Sequence, residues 1–319
     1  MCIFLLIFAE NPSSIPFTME QIRNFQELTA HLSARADRKK IAVVCADDPE
    51  TQYAVERALR ENIADFILVG DSGKLQGVRF VEEFADRIEI IDEKDSDTAA
   101  RRAVELARKG RAGALMKGII NTDNFLRAIL NKETGILPQG SLLTHMTAAQ
   151  VPGMNRLLFF SDVAVIPYPT LEQKERVISL DLAMLRHFGI DRPKVALIHF
   201  TEKVNPKFPN SVDAQTLVGM AAEGAFGNAA LAGPMDVKTA CDHHSAQVKH
   251  LESEVAGEAD LLIFPNIESA NTFYKTITYF GHAEVAGMLL GPKCPVVLTS
   301  RADTGLSKFY SLAMAVLGA

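Results

Sequence analysis

The stretch Cys294-Pro-Val-Val-Leu-Thr-Ser-Arg-Ala-Asp303 is the most informative in this chain of 319 residues. It is an apolar, β-branched run that ends in a hydroxyl, a guanidinium and a carboxylate, which is typical of a buried strand followed by polar groups. In open α/β sheets, ligands bind beyond the carboxyl ends of the strands. We therefore predict that Ser300, Arg301 and Asp303 hold a reacting anion. The alternative is that they only cap and open a helix that begins near Thr304.

Outward from this stretch, short apolar strands alternate with helical segments from Lys40 onward. The strands are continuous Val, Ile and Leu runs, which indicates burial on both faces of a parallel sheet that has helices on either side. The predicted strands are Ile41 to Cys45, Phe66 to Val69, Ile88 to Ile91, Ala112 to Met116, Leu157 to Phe160, Lys194 to Phe200 and Leu261 to Phe264. The predicted helices are Pro49 to Glu61, Thr98 to Arg108, Thr122 to Leu130, Leu171 to His187 and Ser269 to Phe280. The pattern predicts an α/β, doubly wound architecture.

The length of the chain favours two domains, because single cores stop growing at about 250 to 300 residues. Asn131 to Pro152 is richer in Gly, Pro, Thr and Gln than its surroundings and is less periodic. We place a domain crossing there. The cleft between the two domains is then the expected site.

Composition excludes several functions. A formal net charge of -6 argues against nucleic-acid binding, which needs a basic face to neutralise phosphates. The four cysteines form no C-x-x-C pair, a pattern typical of a reducing compartment, so we expect a cytoplasmic protein. No membrane association is expected.

The first nine residues are apolar, but no Lys or Arg precedes them and they are far shorter than the roughly 20 residues of a membrane span. Met19 opens what looks like the first amphipathic helix. We therefore predict that residues 1–18 are an extension upstream of the true start.

Signatures of common cofactors are absent from the sequence. Gly70-Asp-Ser-Gly-Lys74 has the wrong spacing for a phosphate loop, and no G-x-G-x-x-G follows a predicted strand. Cys241-Asp-His-His244 contains metal-ligand residue types, but no second cluster matches it. We predict no metal site.

Anion-binding groups also follow a second predicted strand. Lys117, the flexible Gly118 and a capping Thr122 could cradle a phosphate, helped by the positive end of the helix that starts there. Arg127 lies about one and a half turns further along, so its side chain can reach back. With Arg301 these groups supply three cations, which fits a phosphoryl or acyl-phosphate ligand.

Several longer motifs complete the pattern: Met116-Lys-Gly, Glu202-Lys-Val-Asn-Pro-Lys-Phe-Pro-Asn-Ser-Val-Asp-Ala214, Gly233-Pro, Ala259-Asp-Leu-Leu-Ile-Phe-Pro-Asn-Ile-Glu268, Asn271-x-x-Tyr-Lys275 and Pro295 to Asp303. In these motifs the chain resembles the phosphate acetyl/butyryl transferase family, from Lys40 to the end. The Glu202 to Ala214 segment is typical of the phosphate butyryltransferase branch.

The resemblance implies a fold like that of isocitrate and isopropylmalate dehydrogenases, with two α/β domains and a cleft between them. The first domain would comprise residues 19–148 and 294–319, and the second residues 149–293. The resemblance also implies a homodimer or higher homo-oligomer that needs no bound cofactor. The implied reaction moves an acyl group between coenzyme A, a co-substrate, and inorganic phosphate.

The resemblance also implies roles for individual residues. Ser300 matches the position that engages the thiol or the developing oxyanion. Arg301 and Arg127 would stabilise the leaving phosphate, and Asn271, Lys275 and Tyr279 would complete the substrate site, together with the cradle of Lys117, Gly118 and Thr122.

The chain departs from the family pattern in places. The thiol of coenzyme A needs a proton acceptor, and Asp303, the carboxylate nearest to Ser300, is our candidate base. Phosphate acetyltransferases have a carboxylate where this chain has Ser307, so this choice is a local inference, and water or no base at all are the alternatives. Tyr279 replaces an arginine of the acetyltransferases, which suggests a more apolar wall and an acyl chain longer than acetyl. Ala270 and Lys238 also differ from the family residues.

Three alternatives stay open. A phosphate acetyltransferase would share the mechanism. A decarboxylating dehydrogenase would need clustered aspartates for a metal and a nucleotide site, neither of which the sequence shows. A non-catalytic relative that only binds acyl phosphate or coenzyme A is disfavoured by the intact set of Ser300, Arg301, Lys117 and Arg127.

Overall fold

The computed structural model describes residues 20–300 and 303–319. The predicted extension, residues 1–18, and Arg301 lie outside the described residues. The strands are β1 (Lys39–Val44), β2 (Ala64–Gly70), β3 (Ile88–Asp92), β4 (Ala114–Lys117), β5 (Thr144–Gln150), β6 (Leu158–Ser161), β7 (Lys194–Ile198), β8 (Ala230–Met235), β9 (Leu261–Ile263), β10 (Glu284–Leu290) and β11 (Val296–Val297). The α-helices are α1 (Phe25–Ser33), α2 (Pro49–Arg60), α3 (Arg79–Glu83), α4 (Ser96–Arg108), α5 (Thr122–Ile129), α6 (Leu171–His187), α7 (Pro209–Ala222), α8 (Val237–Cys241), α9 (His243–Val248), α10 (Ile267–Tyr279) and α11 (Gly305–Leu317).

All these strands join one sheet in the order β3-β2-β1-β4-β11-β10-β5-β6-β9-β7-β8. Neighbouring strands are parallel in both outer parts. The β11–β10, β10–β5 and β5–β6 pairs in the middle are antiparallel. The predicted α/β class is confirmed, and the expectation of a wholly parallel sheet is wrong at its centre.

The centre of the sheet contains strands that the sequence analysis did not predict. β5 lies inside Asn131 to Pro152, the segment we expected to be an irregular crossing. Its sequence, Thr-His-Met-Thr-Ala-Ala-Gln, is not a run of large apolar residues, yet its first six residues are buried because β10 and β6 flank it. β8, α7 and β10 were also missed. The division into two domains stays a prediction.

The end of the described chain returns to the N-terminal part of the sheet. β11 pairs in parallel with β4, Val296 opposite Leu115 and Val297 opposite Met116. α11 packs on α2, α1 and β10, and most of its residues are buried. The predicted strand near Val296 is confirmed, although it is only two residues long.

A buried ion pair joins α11 to α2. Lys308 Nζ donates to Asp48 Oδ1 at 2.9 Å and to Thr51 Oγ1 at 3.0 Å. Both charged side chains are largely buried. Burial acts to raise the pKa of Asp48, but hydrogen bonds from Thr51 and Lys308 outweigh it, so the pKa lies below its usual value. The pair positions α11, and with it the loop before α11.

Candidate active site

A cavity of about 140 Å³ lies beyond the carboxyl end of β11. Its wall residues come from β5, β10, α10, α11 and the segments after β6 and β11: His145, Val163, Ala164, Asn271, Tyr274, Lys275, Gly287, Leu298, Thr299, Ser300, Asp303, Ser307 and Ser311. A second cavity of about 320 Å³ adjoins it and shares Tyr274, Lys275, Asp303 and Ser307. The structure thus brings together four of the predicted site residues, Ser300, Asp303, Asn271 and Lys275.

Ser300 and Asp303 are joined by two hydrogen bonds. The Ser300 amide donates to Asp303 Oδ2 at 2.7 Å, and the Asp303 amide donates to the Ser300 carbonyl at 3.2 Å. The N-cap of α11 is Thr304, whose hydroxyl accepts from the Ser307 amide. Ser300 and Asp303 therefore precede the helix cap, and the expectation that they form the cap and first turn of the helix is wrong. Their role as site residues stays a prediction.

One face of α10 forms the opposite wall. Tyr274 and Lys275 lie three and four residues after Asn271, and Thr278 lies four and three residues after them, the spacing that aligns side chains on a helix. Asn271 Nδ2 donates to the Val163 carbonyl at 3.1 Å, and Lys275 Nζ lies 4.5 Å from the centre of the Tyr274 ring. Burial and the Asp303 carboxylate both raise the pKa of Tyr274, so its hydroxyl stays neutral. This wall offers an amide, an ammonium and a phenol.

His145 lines the cavity and was missed by the sequence analysis. It lies on β5, a strand that has no apolar run to predict it. Burial lowers the pKa of His145, while the Asp162 and Asp303 carboxylates act to raise it. One sequence feature could have pointed to His145: it is a histidine in a Thr- and Ala-rich segment that has no helical periodicity.

The backbone after β4 differs from the phosphate cradle that the sequence predicts, because two of its amides are already hydrogen-bonded. The Gly118 amide donates to the Val44 carbonyl and the Ile119 amide to the Cys45 carbonyl, so these two donors are not directed at a ligand. A Cβ on Gly118 would lie 2.1 Å from the Cys45 oxygen. Gly118 is thus required by a close backbone approach rather than for flexibility. Lys117 is buried, and its Nζ donates to the Gly118 carbonyl at 3.3 Å.

Three other predicted residues lie away from the walls of the two cavities described above. Asn121, not Thr122, caps α5, because its side chain accepts from the Asp123 amide; Thr122 is the first helical residue. Arg127 is on the exposed side of α5. Tyr279 is 74% exposed at the end of α10. Their roles in binding stay predictions.

Ser307 occupies the position of the family carboxylate and lines both cavities. Its hydroxyl donates to the Val285 carbonyl at 2.9 Å, so it joins α11 to β10. A hydroxyl in this position is far too weak a base to take a thiol proton unaided. Ser307 therefore does not replace the carboxylate as a base.

Within residues 20–300 and 303–319, no group of three or more His, Cys, Asp or Glu side chains is arranged to hold a metal ion. None of the described helices is long and apolar enough to cross a bilayer.

Comparisons with known proteins give a family, relatives and a similar solved structure for this chain. Residues 87–316 match the family described as "Phosphate acetyl/butaryl transferase". The phosphate butyryltransferase of Clostridium acetobutylicum is 38% identical over 93% of this chain and 98% of its own length. The phosphate acetyltransferase of Thermotoga maritima is 36% identical over 89% of this chain and 96% of its own. The crystal structure of a branched-chain phosphotransacylase from Enterococcus faecalis V583 superposes with a TM-score of 0.79 at 29% identity, covering 88% of this chain and 98% of the other.

The chain has the dehydrogenase-like α/β fold that the phosphotransacylases share, and its family match and relatives make it a transferase. Within that class, the chain belongs to the phosphate acetyl/butyryl transferase family.

Proposed function

We propose that this protein transfers a short-chain acyl group, butyryl or a close relative, between coenzyme A and inorganic phosphate. The reaction is acyl-CoA + phosphate = acyl phosphate + CoA, and coenzyme A is a co-substrate rather than a bound cofactor. The observation that carries the proposal is that Ser300 and Asp303 meet Asn271 and Lys275 in one cavity at a strand end. The family's motifs supply these residues.

The reaction needs a site for the thiol. A free thiol has a pKa near 8.5 and is mostly protonated at neutral pH, so attack on an acyl phosphate requires a proton acceptor. In our proposal the Ser300 hydroxyl hydrogen-bonds the sulfur or the oxyanion that forms on the carbonyl. Asp303 is one candidate for the proton acceptor, and His145, which lines the same cavity, is another.

The reaction also needs a site for phosphate. Lys275 presents an ammonium at the cavity, and we propose that Arg301 completes the anion site from the loop between Ser300 and Asp303. Fixed cations stabilise a leaving phosphate more as its charge grows in the transition state. Lys117 and Arg127 would act from the neighbouring strand end.

Apolar residues beside these polar groups support an acyl chain longer than acetyl. Val163, Leu298 and the ring of Tyr274 line the cavity with Ser300. A methylene in such a pocket changes discrimination by only about 1–3 kcal/mol. Phosphate acetyltransferase activity is therefore the second candidate, and the relative from Thermotoga maritima favours it.

We also propose a cytoplasmic homodimer. The exposed aromatic side chains of Phe200, Tyr279 and Phe280 support self-association, since each is more than two-thirds exposed in the single chain. Sedimentation equilibrium would test the dimer, and a monomer at micromolar concentration would contradict it.

The test of the activity is phosphate-dependent release of thiol from acetyl-, butyryl- and isobutyryl-CoA. We expect turnover with butyryl-CoA preferred. Ser300→Ala and Arg301→Ala should each lower kcat by about 100- to 1,000-fold. Ser179→Ala, an exposed serine on α6, is the matched control and should behave as wild type.

Each outcome separates the candidates. Preference for acetyl-CoA would favour the acetyltransferase. Binding of acyl-CoA without thiol release would indicate a non-catalytic relative, and turnover that depends on NAD and a metal would indicate a dehydrogenase.

A further inference from the structure

His145 lies in the cavity wall beside a glycine of the neighbouring strand, whose missing side chain leaves room for the imidazole. The residue is 7% exposed, and its ring lies against Gly287 of β10. A Cβ on Gly287 would come within 2.7 Å of Cε1 and 2.9 Å of Nε2 of the ring. The absence of a side chain at residue 287 therefore lets the imidazole share the cavity with Ser300.

Residues of β5 and of the segment after β6 surround His145 on its other side. Nδ1 lies 3.4 Å from the hydroxyl of Thr147, the neighbour on the same face of the strand. Asp162 Oδ2 accepts from the Thr144 hydroxyl at 2.9 Å and from the His145 amide at 3.2 Å. A proton on Nδ1, directed at Thr147, leaves the lone pair of Nε2 for a partner in the cavity.

Asp162 is fixed in place by further bonds. Its Oδ1 accepts from the amides of Ala164 and Val165 at 2.8 and 2.9 Å. With both oxygens engaged, the carboxylate cannot turn into the cavity. It supplies a stationary negative charge beside the imidazole.

We propose that His145, rather than Asp303, is the catalytic base that takes the proton of the coenzyme A thiol. The proposal rests on the function proposed above and names a further residue for that reaction. Nε2 accepts the proton directly or through the Ser300 hydroxyl, and the resulting thiolate attacks the acyl carbon. The C–S bond forms, the bond from the acyl carbon to the phosphate oxygen breaks, and the imidazolium returns its proton to the departing phosphate.

Asp303 is less suited to this role. Its Oδ2 already accepts from the Ser300 amide at 2.7 Å, a bond that shapes the loop. An aspartate is in general a weaker base than imidazole and lies further in pKa from a thiol. Asp303 instead adds a second negative charge that stabilises the imidazolium.

The groups that face His145 keep the imidazole neutral before the reaction. Asp162 and Asp303 face it from the segments after β6 and β11, and Tyr274 and Lys275 face the same cavity from α10. Burial outweighs the two carboxylates and lowers the pKa of His145. At neutral pH the imidazole is therefore a proton acceptor.

The test is the pH dependence of kcat/KM for coenzyme A with butyryl phosphate, measured for wild type and His145→Gln. The wild-type value should fall on the acid side, where the imidazole becomes protonated. The variant should be about 100- to 10,000-fold slower at neutral pH. Its rate should rise through the thiol pKa near 8.5, because only thiol ionised in solution can then react.

Two further variants keep the test decisive. Asp303→Asn should lower kcat/KM less than His145→Gln does and should retain the acid-side fall. Thr147→Val, nearly isosteric with wild type, removes the Nδ1 partner and should lower kcat/KM several-fold with a displaced acid-side fall. If His145→Gln does not fold, the Thr147→Val result decides.

The proposal would be overturned if His145→Gln kept the wild-type kcat/KM and pH profile while Asp303→Asn lost the rate and the acid-side fall. An unchanged profile in Thr147→Val would also overturn it. A wild-type protein that never releases or consumes thiol would instead remove the proposed function, which is a different result.

Discussion

The carboxyl ends of β11 and β4 lie side by side at the same edge of the sheet, but they are built differently. The strands are parallel, with Val297 opposite Met116. After β11, the loop places Ser300 and Asp303 at a cavity. After β4, the Gly118 amide donates to the carbonyl of Val44, the last residue of β1, and the Ile119 amide to that of Cys45, which follows it.

The difference shows that two strand ends with similar polar residues can differ in how many backbone donors they leave for a ligand. The sequence predicts anion-binding groups at both ends, because at each end cations and a helix start follow an apolar run. The amides just beyond β4 donate to backbone carbonyls at the end of β1, whereas Ser300 and Asp303 beyond β11 hydrogen-bond each other, directly before α11. Four predictions test this contrast, from the largest expected effect to the smallest.

The first prediction concerns the anchor of the β11 end. Lys308→Met should destabilise the protein by about 3–5 kcal/mol, because it leaves the largely buried Asp48 carboxylate without its partner. Urea unfolding measures the change. Lys109→Met, which removes an exposed pair with Glu105, should cost less than about 1 kcal/mol. Equal costs for the two variants would show that the buried pair does not anchor α11.

The second prediction concerns the β4 end. Gly118→Ala should destabilise by about 3 kcal/mol or more, because its Cβ would overlap backbone atoms of Val44 and Cys45 that cannot move aside. Gly219→Ala, at an open position inside α7, should stabilise by about 0.5–1 kcal/mol. Differential scanning calorimetry compares the two. A harmless Gly118→Ala would mean that the contact with β1 is not tight.

The third prediction compares the two helix caps that follow these strands. Asn121→Ala and Thr304→Ala should each cost about 0.5–2 kcal/mol, since each removes an acceptor from an N-terminal amide. Only Thr304→Ala should also lower kcat, because Thr304 adjoins Asp303. Thiol-release kinetics beside thermal unfolding separate the two effects. Equal loss of kcat in both variants would erase the contrast between the two ends.

The fourth prediction concerns pH. The pKa of Asp48 in the folded protein is below its usual value of 3.8, so the stability it contributes is present above that pH and is lost as pH falls through the folded value. The stability difference between wild type and Lys308→Met should therefore narrow in acid. Unfolding free energies at a series of pH values below about 5 test this. A constant difference would place the effect of Lys308 in packing rather than charge.

The sequence predicted the features that depend on local pattern. Apolar runs with turns on either side identified β1, β2 and β9, and the helical pattern of Leu171 to His187 predicted α6 with the bounds that the structure has. The strand-end motif identified Ser300 and Asp303, because a polar group after a buried strand has a fixed place in a sheet of this kind.

The remaining features depend on contacts distant in sequence. β5 is buried because β10 and β6 flank it, and its own residues carry little strand signal. His145 is in the cavity because Gly287, on another strand, makes room for it. The backbone bonds of Gly118 depend on β1. None of these partners can be chosen from one sequence, because each lies far along the chain.

The position of β11 between β4 and β10 also sets an order of assembly. More than half of the chain separates β4 from β11. During synthesis the side of β4 that pairs with β11 therefore has no partner strand until residues 296–317 have been made. Contacts between such distant segments form slowly, and an open edge invites pairing with other chains. The loop with Ser300 and Asp303 lies between β11 and α11, so the proposed site is completed in the same step in which β11 fills its place in the sheet. A nascent chain that stops before this step has neither the complete sheet nor the proposed site.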